Sequence, residues 1–252
     1  MEAELSLFQY NLVSNFFSFT IAVMAAATLF FWLQRSQVAP PYRAAMTITG
    51  LVTFIAFYHY FRIFESWEAA YAIVDGSVQA GGKSFNDAYR YVDWLLTVPL
   101  LMIELILVMR LSREETIKKA TWLAGLAALM IALGYPGEIA EATGVAFAFW
   151  VLSMIPFVVI VYTLYVGLSE AVDRQPEEAK PLVNAARYLT IVAWLFYPLV
   201  YLFPLIGLEG PNAETFLQVG YTIADIVAKA VFGVLIYMIA MRKSEAEGHK
   251  PA

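Results

Sequence analysis

Seven apolar segments, each long enough to cross a bilayer as a helix, decide what this chain can fold into. They lie near residues 7–33, 44–63, 89–109, 117–133, 146–168, 182–206 and 216–241. Hydrocarbon about 30 Å thick needs roughly 20 residues of α-helix, and in that solvent every backbone amide must be satisfied within the protein. The implied fold class is an all-α membrane protein, a seven-transmembrane-helix bundle forming a single domain over residues 1–252. Turn-forming or charged clusters separate the segments: Pro40-Pro41, Gly81-Gly82, Arg113-Glu114-Glu115, Gly134-Tyr135-Pro136-Gly137, Gln175-Pro176 and Gly210-Pro211. Residues 65–87 form the one long connection, with room for a hairpin. Only 15% of residues are charged, against about a quarter in a soluble domain.

The net charge of -5 argues against nucleic acid as a partner. There is no cysteine, which excludes disulfides and thiolate metal sites, and no metal site of another kind is expected. The opening residues Met1, Glu2, Ala3 and Glu4 lack the positive region of a signal peptide, so the first apolar segment is expected to persist as a helix. Arg35, Arg43, Arg110, Arg113, Lys118, Lys119, Arg174, Lys180, Arg187, Arg242 and Lys243 fall at the first, third and fifth connections and the C-terminal tail. The opposite ends carry Arg62 and Lys83 against Glu138, Glu141, Glu209 and Glu214. The positive-inside rule then places the N-terminus outside and the C-terminus in the cytoplasm.

Lys229 interrupts the last apolar segment, with Asp225 one helical turn before it. An ionisable residue at bilayer depth is costly and marks a functional site unless it serves only in an ion pair. A buried lysine amine can also condense with an aldehyde to form a Schiff base. In the third segment Arg90, Asp93 and Thr97 are spaced three and four apart and share one helix face. Glu104, eleven residues past Asp93, returns to nearly that face roughly 16 Å further along the axis. Asp93 beside Arg90 is expected to ionise, whereas Glu104 among Ile103, Leu105 and Ile106 is expected to hold its proton. Two carboxyls in contrasting surroundings divide into an acceptor and a donor.

His59 on the second segment lies at a depth that allows it to pair with Asp93, and an imidazole there would couple to the carboxylate. Trp94, Met130, Trp150, Trp194 and Tyr197 fall near mid-depth of four segments and outline a pocket for a long, flat, apolar ligand. Pro99 and Pro198 mark places where helices can bend.

These residues resemble the microbial rhodopsins of the proteorhodopsin and xanthorhodopsin group, over all seven segments. The resemblance is carried by Arg90 to Pro99 (RYVDWLLTVP), Trp194 to Pro198 (WLFYP) and Asp225 to Lys229 (DIVAK). It implies that Lys229 carries all-trans retinal as a protonated Schiff base, that Asp93 is the primary proton acceptor and that Asp225 is a second counterion. Asp93, Thr97 and Glu104 match the acceptor, threonine and donor positions of the group's outward proton pumps. His59 matches the histidine that pairs with the acceptor. Met130, Gly134, Trp150 and Ser153 match positions lining the retinal. Leu101 falls where an apolar residue implies green absorption and glutamine blue. Trp150 falls where carotenoid-binding relatives keep a glycine, which argues against a carotenoid antenna, although the long second connection resembles that branch.

The implied function is a light-driven outward proton pump, an ion transporter rather than an enzyme, in the bacterial cytoplasmic membrane. The resemblance further implies a homo-oligomer, a pentamer or hexamer, surrounded by lipid. The alternative is a photosensory rhodopsin acting on a transducer. The family's sensors usually lack a carboxylic donor, so Glu104 counts against that reading. Chloride pumps lack the acidic acceptor, and sodium pumps place Asn, Asp and Gln at these three positions.

Overall fold

The computed structural model describes residues 5–249, so the acidic start, Met1 to Glu4, lies outside the described residues. Seven membrane-length helices are present among the described residues. We label them α1 (Leu7–Gln34), α2 (Arg43–Ala70, entered through a 3-10 turn at Pro40–Tyr42), α3 (Ala88–Met109), α4 (Arg113–Glu138) and α6 (Lys180–Leu205). The fifth, α5, spans Thr143–Asp173 and the seventh, α7, spans Pro211–Ala246, each with an internal π-turn, Thr163–Gly167 and Ile226–Val231 respectively.

Helix starts follow local chemistry. Ser6 with Gln9, and Ser112 with Glu115, form capping boxes that satisfy amides at the starts of α1 and α4. Several serine and threonine hydroxyls inside the helices donate to the carbonyl one turn back, as Thr28 does to Met24 and Thr222 to Gln218, which satisfies those hydroxyl protons without water.

Two helices run further than the sequence suggests. α2 continues to Ala70 rather than ending near residue 63, which puts His59 about three turns from the end instead of one and a half. α4 continues through Pro136 to Glu138, although Gly134 to Gly137 reads as a break. In lipid an unravelled backbone has no water to bond, so the helix persists through its proline. Gly137 serves close packing instead: a Cβ there would fall 2.0 Å from the Tyr201 hydroxyl and 2.7 Å from Phe149 Cβ. The long connection holds the hairpin it has room for. β1 (Tyr71–Val74) pairs antiparallel with β2 (Ser77–Ala80) across Asp75 and Gly76, both at positive φ as a two-residue type I′ turn requires.

The helices divide into an inner and an outer set. The membrane windows of α2, α3 and α7 are 50%, 61% and 56% buried, whereas those of α1, α4, α5 and α6 are 28% or less. Large apolar side chains such as Leu33, Val192 and Leu199 cover the outer set's free faces. Gly233 lets α7 lie against α1 and α2, since a Cβ there would meet Phe31 and Thr49 at 2.6 Å. His59, Arg90, Asp93, Glu104, Asp225 and Lys229 all belong to the inner set.

Candidate functional site

The π-turn of α7 contains Lys229, whose side chain is fully buried. Its Nζ donates to Asp93 Oδ2 on α3 at 2.6 Å and lies 3.0 Å from Asp225 Oδ1, one turn back on its own helix. The ion pair with Asp225 and the contact with Asp93 are thus present together. The two carboxylates differ in what else they hold. Asp225 accepts from the hydroxyls of Tyr197 at 2.6 Å and Tyr60 at 2.8 Å, and from the Trp94 indole at 3.2 Å. Asp93 Oδ1 is buried and has no hydrogen-bond partner among the described residues. One carboxylate is saturated with donors; the other keeps an open oxygen.

One expectation about Asp93 needs correcting. Arg90 shares its helix face, but its guanidinium runs toward the N-terminal end of α3, where it donates to Gln218 Oε1 and sits 4.0 Å from Asp87. The cation beside Asp93 is Lys229. A long side chain extends toward the more polar end of a membrane helix, so spacing along the helix overstated that contact. His59 does reach the same depth as Asp93, with Nδ1 3.9 Å from Oδ1. That nitrogen bonds the Ile55 carbonyl at 2.9 Å, so the pair is close without a hydrogen bond. Thr97 directs its hydroxyl to the Asp93 backbone carbonyl at 2.8 Å.

From Lys229 a cavity of about 90 Å³ extends between α3, α4, α5, α6 and α7. Its wall includes Trp94, Leu101, Met130, Gly134, Trp150, Ser153, Trp194, Tyr197 and Pro198, every pocket residue expected from the sequence. The Trp150 indole donates to the Pro198 carbonyl at 2.9 Å and so bridges α5 and α6. Sequence reasoning missed Tyr91, Tyr221 and Phe157 in this wall, and Tyr60 as a donor to Asp225. The signal available for Tyr60 was its position next to His59 on the inner face of α2.

Glu104 stands apart from this cavity, fully buried on the other half of α3. Neither carboxyl oxygen has a hydrogen-bond partner among the described residues. The Thr49 hydroxyl of α2 donates to the Ala45 carbonyl at 3.0 Å.

The family model described as bacteriorhodopsin-like protein matches residues 11–243. The chain belongs to the bacteriorhodopsin-like family. Among solved structures, that of xanthorhodopsin, described as a light-driven ion pump with dual chromophore, shares 53% identity at a TM-score of 0.95 and covers 98% of both chains. A thermophilic rhodopsin shares 44% identity at a TM-score of 0.95, covering 98% of this chain and 100% of that one. The blue-light absorbing proteorhodopsin of Gamma-proteobacterium Hot 75m4 is 33% identical over 225 residues, 88% of this chain and 84% of the relative. The protein is thus a multi-pass membrane protein of the microbial rhodopsin type, and the chromophore of that family is retinal.

The residues present fit retinal. An aldehyde needs an amine, and Lys229 supplies the one amine in the cavity wall. A conjugated chain needs an apolar, aromatic lining. A cationic nitrogen buried at that point needs compensating charge, and two carboxylates lie within 3.0 Å.

Proposed function

We propose that the protein is a light-driven outward proton pump of the bacterial cytoplasmic membrane, with its N-terminus outside and retinal attached to Lys229 as a protonated Schiff base. Retinal supplies the absorption of light and the change of shape that follows. The observation that carries the reading is the asymmetry about Lys229: its nitrogen is 2.6 Å from one oxygen of Asp93, whose second oxygen is open, while Asp225 is already held by three neutral donors. Asp225 can remain a fixed negative charge, and Asp93 has a place for a proton to land. Thr97 and the Lys229 contact hold the Asp93 segment in register. Arg90, bonded to Gln218 and 3.4 Å from the Tyr60 hydroxyl, is a charge on the outward side of this pair.

A pump also needs a proton from the opposite side. Glu104 stands on that side, on the same helix as Asp93, among apolar residues that keep water from acting as a fast carrier. Transfer from Glu104 to the Lys229 nitrogen resets the site, and uptake from the cytoplasm recharges Glu104. In a sensor such a buried carboxyl has no work to do.

Glu104→Gln keeps the shape and removes the exchangeable proton. The state in which the Lys229 nitrogen lacks its proton should then decay more slowly by about 100-fold, the low end of what a positioned acid contributes. A small permeant acid such as hydrazoic acid should restore the rate. Flash photolysis reads this directly, and an unchanged decay would return Glu104 to a packing role. Illuminated cells should acidify their medium, an effect that an uncoupler abolishes; no acidification would favour the sensor.

Leu101 lies in the cavity wall with no dipole of its own, so green absorption is expected. Leu101→Gln should move the maximum to the blue, measured on the purified pigment. A native maximum already in the blue would assign tuning to another wall residue. Trp150 fills the α5–α6 side of the cavity through its bond to Pro198, and we infer no carotenoid antenna at that place.

A further inference from the structure

Beyond Glu104, at the cytoplasmic end of α3, sits a buried cation that the pumping cycle above does not use. Lys243 near the end of α7 is only 4% exposed. Its Nζ donates to the carbonyls of Val108 at 3.0 Å and Met109 at 2.8 Å, and to Gln175 Oε1 at 2.7 Å. All three ammonium protons are therefore used. Val108 and Met109 end α3, because Arg110 turns left-handed at φ 53 and leaves its last carbonyls without helical partners. A cation at a helix C-terminus is also favoured by the helix dipole.

Gln175, 6% exposed in the α5–α6 connection, completes the join by donating to Met109 and Ala171 carbonyls at 3.1 and 2.8 Å. The Tyr42 ring from the start of α2 lies 5.3 Å from the ammonium. Glu247 holds both the Tyr42 hydroxyl, at 2.5 Å, and Arg110. Ser244, next to Lys243, accepts from the Ala39 amide of the α1–α2 connection at 2.9 Å. The ends of α3 and α7, the start of α2 and two connections thus meet around one ammonium. Val108 is one turn from Glu104, about 6 Å along the helix. A proton moving from the cytoplasm to Glu104 along α3 meets this join first.

We propose that Lys243 is a positioning residue for proton uptake: it clasps α3, α7 and the α5–α6 connection shut over Glu104, and each turnover opens that clasp before Glu104 is recharged. The proposal rests on Glu104 being the internal donor. In the step it controls, a hydronium ion in the cytoplasm gives its proton to the Glu104 carboxylate and leaves water; Lys243 keeps its three protons throughout and loses only their acceptors. A clasp of this kind prevents a proton on Glu104 from draining back while the Lys229 nitrogen waits for it.

The test uses the full chain with retinal in lipid nanodiscs, followed after a flash by two signals. The carboxyl infrared band reports loss and recovery of the Glu104 proton, and a pH-sensitive dye reports uptake from the bulk. Lys243→Met keeps the length of the side chain and removes its donors. Recovery of the Glu104 band and dye uptake should both speed up by about tenfold, the factor that about 1.4 kcal/mol of lost closure corresponds to. The loss of the Glu104 proton to the Lys229 nitrogen should keep its native rate. Lys243→Arg, which retains donors, should return uptake toward the native rate, and Gln175→Leu, which removes one arm, should accelerate it less.

Uptake unchanged or slowed in a Lys243→Met pigment with native dark absorption would overturn the clasp, and slowing would make Lys243 a relay instead. If Lys243→Met forms no pigment, Gln175→Leu decides, and native uptake there overturns the proposal. A carboxyl band that does not move at all in the native protein removes the donor reading itself and the clasp with it, which separates the two failures.

Discussion

Lys229→Ala should give a protein that forms no visible pigment when retinal is added. Lys229 provides the only amine in the cavity wall, and no covalent attachment can replace it from elsewhere along that wall. The change also leaves Asp93 and Asp225 facing each other, both 1% exposed, with their shared cation gone. Removing one partner of a buried ion pair costs about 3–5 kcal/mol, relieved in part if one carboxyl takes up a proton. The variant should therefore be colourless and melt at a lower temperature. Absorbance after retinal addition tests the first point, and circular dichroism during heating tests the second. A covalent visible pigment in this variant would move the attachment point and undo the reading of the cavity.

Asp93→Asn should abolish transport and shift absorption to longer wavelength. Its oxygen at 2.6 Å from Lys229 Nζ is the nearest negative charge to a cationic nitrogen there. That charge stabilises a positive charge localised on the nitrogen more than one spread along a conjugated chain after excitation, so its removal narrows the gap. The same variant deletes the open oxygen on which a proton can land. Acidifying the native protein should reproduce the colour change, because protonating Asp93 removes the same charge, and the shift should reverse as pH rises. Spectra across pH and light-induced pH changes in vesicles check both halves. Native pumping by the Asn variant would reassign the acceptor, with Asp225 as the remaining carboxylate in reach.

The parts of the site that lie along single helices were legible in the sequence. Asp93 and Glu104 share a stripe of α3, and Asp225 and Lys229 are one turn apart, so helical spacing alone brings each pair into relation. The pocket residues were legible from depth, since five aromatic or large side chains at mid-membrane on four helices have little choice but to converge. Contacts that depend on how helices are rotated against one another were not. Nothing in α2 says that Tyr60 rather than His59 bonds a carboxylate, nor that Gln218 on α7 receives Arg90.

The end of α4 misled for a different reason. Glycine and proline there read as a stop, a rule learned from chains in water, whereas lipid penalises an open backbone more than a proline in the helix. The π-turn around Lys229 had no local signal either, because its residues Ile226 to Val231 are apolar apart from the lysine itself.

The split between inner and outer helices has a consequence for how such a molecule can change over generations. On α4, α5 and α6 most of each membrane window touches lipid, so exchanging one apolar residue for another there replaces like with like. Those faces can drift with the thickness and chemistry of the host's membrane, and a designer could recolour them for a new host, without disturbing the machinery. α2, α3 and α7, with half or more of each window buried, have less such freedom. Lineages of this protein should diverge as a soft jacket around an old three-helix heart.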